Sequence, residues 1–282
     1  MKKIITFILL SSSYLLSNIH VVVSIVPEQT FVKAIGGDKV DISVMVQAGD
    51  SPHTYEPKPS QMISMSQASL YFAIGVEFEK VWLPKFQDLS PNMHIVHLDN
   101  PIKKISIQQT KTTNRQHKHH EEEDPHIWTS PENVKIIAQN IYDTLAKYDA
   151  KNTSYYQKNL HTFLASITDT DTHIKQLLKQ HTKNHTFMVF HPSWGYYAKA
   201  YHLKQIVIEV EGKSPKPKAL VHLIQEAKAQ NVKVIFAQLE FSDQAAKIIA
   251  NELNISVIKV SPMAANWSKN LIFITKSIVG DN

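Results

Sequence analysis

Eight short apolar runs, rich in Val, Ile and aromatic residues, fall into two groups of four, and one uninterrupted amphipathic stretch separates the groups. The first group covers residues 21–26, 40–46, 70–74 and 94–98; the second covers 186–190, 205–210, 232–237 and 255–260. Each run has the length and composition of a strand, with helix-compatible or polar segments between the runs. Strands alternating with helices build parallel sheets. The expected fold class is therefore α/β, with two similar lobes, each a four-stranded mainly parallel sheet flanked by helices. A helical pattern at 220–229 sits between the second and third strands of the later group.

Between the groups, Tyr156, Leu160, Phe163, Leu164, Ile167, Ile174, Leu177 and Leu178 recur at three- and four-residue steps with no Pro or Gly among them. This spacing predicts one helix over 154–180, about 40 Å long at about 1.5 Å per residue, which would act as a stiff connector. Two shorter helices with a break near 169–172 are the alternative. The organisation read from the chain is a leader at 1–20, a first lobe at 21–150, a linking helix at 151–182 and a second lobe at 183–282.

Met1-Lys2-Lys3 followed by the apolar stretch 4–16 has the form of a secretory signal. It is shorter than the roughly 20 apolar residues that span a bilayer, and cleavage within 17–20 would release a soluble periplasmic protein. A buried first helix is the competing reading. There is no cysteine among the 282 residues. Disulfides, thiolate metal sites, a cysteine nucleophile and a lipid-bearing cysteine are excluded, so a metal site must use nitrogen and oxygen. Removing Lys2 and Lys3 lowers the formal charge from +5 to +3, and the basic residues form no Arg-rich stripe with aromatics, so no nucleic-acid partner is expected.

Fifteen histidines are present, and three have similar frames. His53 lies in Ser51-Pro52-His53-Thr54-Tyr55-Glu56-Pro57, His126 in Asp124-Pro125-His126-Ile127-Trp128, and His191 in Phe190-His191-Pro192-Ser193-Trp194-Gly195-Tyr196. Proline fixes φ and aromatics shield an imidazole, so such loops suit the presentation of one rigid ligand. His53 and His191 also follow strands, where ligands of open α/β sheets bind. Three neutral imidazoles favour Zn²⁺ over Mn²⁺ or Mg²⁺. The segment 99–130 has little apolar periodicity and carries His117, His119 and His120 beside the acidic run 121–124, an auxiliary metal loop in this reading. Glu211-Gly212 is read as a turn, and Asp143, Asp169 and Asp171 as charge on helix surfaces.

These motifs, together with Val22-Val23-Ser24-Ile25-Val26-Pro27, Ile35-Gly36-Gly37-Asp38 and Glu211-Gly212-Lys213-Ser214-Pro215-Lys216-Pro217, resemble the metal-binding (cluster A-I, or cluster 9) solute-binding proteins of ABC transporters. Within that family the likeness is greatest to the periplasmic zinc-binding members of high-affinity zinc uptake systems, and it covers nearly the whole chain. The resemblance implies two lobes joined by a long helix, one metal in the cleft, and docking of a monomer on an integral-membrane permease powered by a cytoplasmic ATPase. It also implies that His53, His126 and His191 occupy the family's successive ligand positions. Manganese-tuned members place Glu where this chain has His191. The family's late aspartate ligand is replaced by Ser261, in Val260-Ser261-Pro262-Met263. The fourth position is then open to water, to a carboxylate of the run 121–124, or to nothing.

Manganese or iron is the rival cargo. A secreted zinc hydrolase lacks support, because the chain has neither His-Glu-x-x-His nor a general base spaced beside a ligand histidine, and an adhesin lacks a recognisable partner interface. Restoring the missing charge with Ser261→Asp should change the affinities for zinc and manganese in competition titrations; unchanged affinities for both metals would refute the importance of this position.

Overall fold

A computed structural model describes residues 18–108, 122–181, 186–210 and 212–281. Leader residues 1–17, His117, His119, His120 and Glu211 lie outside these. Strands β1 (Ile19–Ile25), β2 (Val40–Val46), β3 (Leu70–Ala73) and β4 (His94–His97) form a parallel sheet in the order β2-β1-β3-β4. Strands β5 (Thr186–Val189), β6 (Lys204–Val207), β7 (Val234–Ala237) and β8 (Ser256–Lys259) repeat that arrangement as β6-β5-β7-β8. The chain therefore has two similar α/β lobes. Strand β1 starts earlier than the sequence pattern suggests, because Ile19 and His20 pair with Val40 and Asp41.

The central strands are apolar on both faces, as strands covered by helices on both sides must be. Val21, Val22 and Val23 of β1 are all buried, and so is every residue of β5, whereas the edge strands β4 and β8 are exposed at both ends. The first lobe carries helices α1 (Val26–Gly36), α2 (Pro59–Ser66) and α3 (Glu77–Leu89), followed by α4 (Pro131–Tyr148). The connector α5 (Thr153–Gln180) leads to α6 (Gly195–Ala200), α7 (Pro217–Ala229), α8 (Gln244–Leu253) and α9 (Trp267–Val279).

Helix α5 is continuous for 28 residues, and the break near 169–172 does not form. Its buried side, including Tyr156, Leu160, Ile167, Ile174 and Leu177, packs against α1, α4 and α9. The polar residues where a break was conceivable are themselves held: Thr170 shares a 2.6 Å hydrogen bond with Ser268 of α9, and Asp171 accepts one from the Tyr201 hydroxyl at 2.9 Å. Asp171 is thus a buried acceptor and not the surface charge expected from sequence. Its position on the helix matches the surface stripe, but Tyr201 reaches across from the second lobe.

The two faces of the second sheet divide its side chains by the strand period of two. Phe187 and Val189 join a core that continues into the first lobe, while Met188 and Phe190 pack under α7 and α8 with Leu223 and Ile249. Two indoles tie the lobes together. Trp128 Nε1 donates to the Pro262 carbonyl at 2.8 Å and Trp267 Nε1 to the Trp128 carbonyl at 2.7 Å. Proline at exposed Asp169 would remove a helical hydrogen bond and clash with the preceding turn, so Asp169→Pro should lower unfolding free energy in urea by about 3 kcal/mol or more; an unchanged midpoint would contradict a single packed helix.

Candidate metal centre

The loops that follow the strands build one site. His53 comes after β2, Glu77 opens α3 after β3, Asp124 and His126 follow β4, His191 follows β5, and Glu209 follows β6. This is the end of an open α/β sheet at which ligands bind. Local sequence shapes each loop. In Ser51-Pro52-His53-Thr54 the Thr54 amide donates to the Ser51 carbonyl and the His53 amide to the Ser51 hydroxyl, at 3.2 and 3.3 Å. In Asp124-Pro125-His126 the Asp124 carboxylate accepts from the His126 amide two residues on, at 2.9 Å, as aspartate does in turns. His191 is held by Gln238, whose side chain accepts from the His191 amide and donates to its carbonyl at 3.3 and 2.8 Å.

The three imidazoles converge. One ring nitrogen from each of His53, His126 and His191 lies within 4.8 Å of the others. The His191 ring is 5.0 Å from that of His53 and 5.4 Å from that of His126, edge-on to both. Trp128 shields His126 at 5.3 Å, and Phe241 stacks on His191 at 4.9 Å. His126 and His191 are buried, whereas His53 keeps 26% of its side chain exposed, so solvent reaches the group past His53.

Each ring has a carboxylate behind it. His53 Nδ1 lies 2.6 Å from Glu77, His126 Nδ1 2.7 Å from Asp124, and His191 Nδ1 3.0 Å from Glu209. An ionised carboxylate can only accept, so each Nδ1 carries the proton and each Nε2 turns its lone pair inward. This carboxylate–histidine arrangement fixes tautomer and ring orientation and makes the imidazole a better donor to a cation. His191 Nε2 is buried and has no hydrogen-bond partner among the described residues. A buried polar atom left so costs about 1–3 kcal/mol, and a bound ion would relieve it.

Sequence reading found the histidines and quoted Asp124 within its motif, but missed Glu77 and Glu209. The signal was faint: Glu209 is an acid in an otherwise apolar strand run, a placement that is costly unless the charge finds a partner. Gly195 of the third motif also acquires a reason. A Cβ there would collide with Asp124 Oδ2, so only glycine lets the start of α6 approach the carboxylate behind His126. Ser261 turns away, its hydroxyl accepting from the Met263 amide at 3.1 Å. Glu122 and Glu123 line a wider cleft of about 780 Å³ that opens beside His53 and His191. Val210 and Lys213 exchange backbone hydrogen bonds around Gly212, as in a turn.

Deeper in that cleft sits Glu79, also absent from the sequence reading. Burial raises its carboxyl to about 7, against hydrogen bonds from Ser24 and from the Ile74 and Gly75 amides that pull it down. Burial and the nearby Glu79 charge likewise push Glu28 well above the usual carboxylate range. These acids brace the ends of β1 and β3 and do not reach the histidines.

Residues 21–277 match the family described as the periplasmic component A of the zinc-uptake complex, ZnuA. The chain belongs to the ZnuA family. It is 31% identical over 243 residues to the high-affinity zinc uptake system protein ZnuA of Bacillus subtilis, covering 83% of this chain and 75% of that protein. It is 28% identical to the manganese ABC transporter substrate-binding lipoprotein PsaA of Streptococcus pneumoniae, over 80% of this chain and 73% of the relative. A crystal structure of ZnuA superposes with a TM-score of 0.86 at 38% identity, covering 94% of this chain and all of the other. A zinc-bound ZnuA deletion mutant gives 0.82 at 37% identity, over 94% of this chain and 98% of the mutant.

ZnuA-family proteins are the periplasmic metal-binding components of ABC transporters, and this chain is one of them. That assignment brings a permease and an ATPase as partners. Streptococcal relatives are named lipoproteins, so a free protein is not a property of all relatives; the absence of cysteine is what argues for it here. Among the described residues no helix is long and apolar enough to cross a membrane.

Neutralising the supporting carboxylates should weaken zinc binding by about 10- to 100-fold. Asp124→Asn and Glu209→Gln should act more strongly than Glu77→Gln, whose carboxylate is half exposed. Chelator-competition titrations check this, and a neutral result for both buried acids would remove them from the site.

Proposed function

We propose that this ZnuA-family chain captures Zn²⁺ in the periplasm at His53, His126 and His191 and delivers it to the membrane permease of its transporter. The observation that carries this reading is the convergence of three imidazoles with every Nδ1 engaged by a carboxylate. Nitrogen donors favour zinc, for which tetrahedral coordination is strain-free, whereas manganese prefers more oxygen. Three carboxylates one ring away add negative potential without occupying the coordination positions.

The wide cleft would serve as the route of entry. Glu77, Asp99, Glu122 and Glu123 line it, and charge of one sign in a cleft concentrates counter-ions. Lys104 also lines the cleft, but its ammonium is held by Asp99 at 2.7 Å. The exposed edge of His53 faces this space, so an arriving cation would meet that ring first.

Titration of the purified protein should give one zinc per chain, with zinc outcompeting manganese, and His191→Ala should lower zinc affinity by more than about 100-fold, beyond the effect of losing a supporting carboxylate. Manganese displacing zinc at equal concentration would make this the manganese-binding kind of relative. Full zinc affinity in the His191 variant would move the site elsewhere.

A further inference from the structure

The three histidines leave an open position, and a fourth side chain stands beside it. Between His53, His126 and His191 lies a cavity of about 20 Å³, room for one water-sized occupant, whose wall also includes Gln238, Glu240 and Met263. Glu240 is its only acidic lining residue among those described. We propose that Glu240, on the loop after β7, is the fourth ligand of the captured ion. The proposal rests on the zinc reading above and adds to it the donor that completes the site.

Glu240 Oε2 is buried without a hydrogen-bond partner among the described residues. A carboxylate oxygen in that condition is costly, and the cost is offset if a cation takes it. The other polar groups of the wall are spoken for. Gln238 is used up on the His191 backbone and on the Ser193 hydroxyl, while Asp124, Glu77 and Glu209 each serve an Nδ1 atom. The loop is also fixed to the site on both sides of Glu240. Gln238 grips the backbone of His191, and Phe241 stacks on the His191 ring at 21° between planes. Only the Glu240 side chain between these anchors is left to move.

Its carboxylate stands outside the group of three nitrogens that lie within 4.8 Å of one another. A rotamer change in a side chain with three torsions brings an oxygen inward while the anchored backbone stays in place. Three neutral nitrogens and one carboxylate then give zinc a closed tetrahedral set and reduce the charge of the complex to +1. Ser261 cannot fill this role, since its hydroxyl is bonded to the Met263 amide.

The experiment compares the parent protein with Glu240→Gln and Glu240→Ala, using Zn²⁺ in chelator competition, Co²⁺ as a spectroscopic probe, and thermal unfolding of the metal-free proteins. Both variants should still bind one zinc, with affinity lowered by about 10-fold or more. Their Co²⁺ visible bands should shift in position and intensity, and their metal-free melting temperatures should stay level or rise, because an unpartnered buried charge has gone. Affinity within twofold of the parent together with an unchanged Co²⁺ spectrum would overturn the proposal and leave the zinc reading standing. Affinity lost in step with a lowered metal-free melting temperature would also overturn it, as the mark of a structural role. A parent protein that binds no zinc would overturn the zinc reading and the ligand with it.

Discussion

Three imidazole nitrogens that present lone pairs to the same small space repel one another and have been stripped of water. Such a group persists only if the backbone behind each ring cannot relax, and much of this molecule can be understood as the means of preventing that relaxation. Each ring is held through Nδ1 by a carboxylate, and each carboxylate sits on a segment fixed by a strand end or a helix start. Turns made by Ser51 and Asp124 set the direction of His53 and His126. Gln238 and Phe241 clamp His191 from the neighbouring strand loop.

The lobes are fixed with the same economy. Histidines from both must meet to within a few ångströms, and a flexible hinge would scatter them. Helix α5 gives the two sheets a common spine, but the apolar core that runs from the first lobe into the second does as much. Trp128 lies at the crossing, accepting from Trp267 and donating to Pro262, two residues after it leaves the ligand His126. The packing of the lobes and the orientation of one ligand are therefore the same structural event. Tyr196 adds another tie, donating to the Asp124 carbonyl and accepting from the Ile105 amide, so the loop that carries His126 is anchored to the second lobe.

The parts of this architecture that depend on short-range chemistry were readable in the chain. Apolar runs such as 21–26 had to be covered on both faces, and the three- and four-residue spacing from Tyr156 to Leu178 had to form a helix with one buried side. The Pro/aromatic frames singled out three histidines among fifteen, because proline and aromatic neighbours act locally on the ring they flank. Asp171 was misjudged for a reason of the opposite kind: its helical position points to the surface of an isolated helix, and only the arrival of Tyr201 buries it. Glu77, Glu209 and Glu240 escaped notice because a lone acid has no sequence frame, and its value depends on what comes to face it.

By itself, then, the sequence determined the two-lobed α/β plan, the long helix and the identity of the three candidate nitrogen donors, since periodicity, turn chemistry and residue type are properties of neighbours in the chain. The tertiary structure alone decided which carboxylate stands behind which ring, that Gly195 must be small to admit Asp124, and that Glu240 rather than Ser261 borders the open position. Those choices rest on contacts between residues tens to more than a hundred positions apart, and a few ångströms of folded distance settle them in a way that no local pattern encodes.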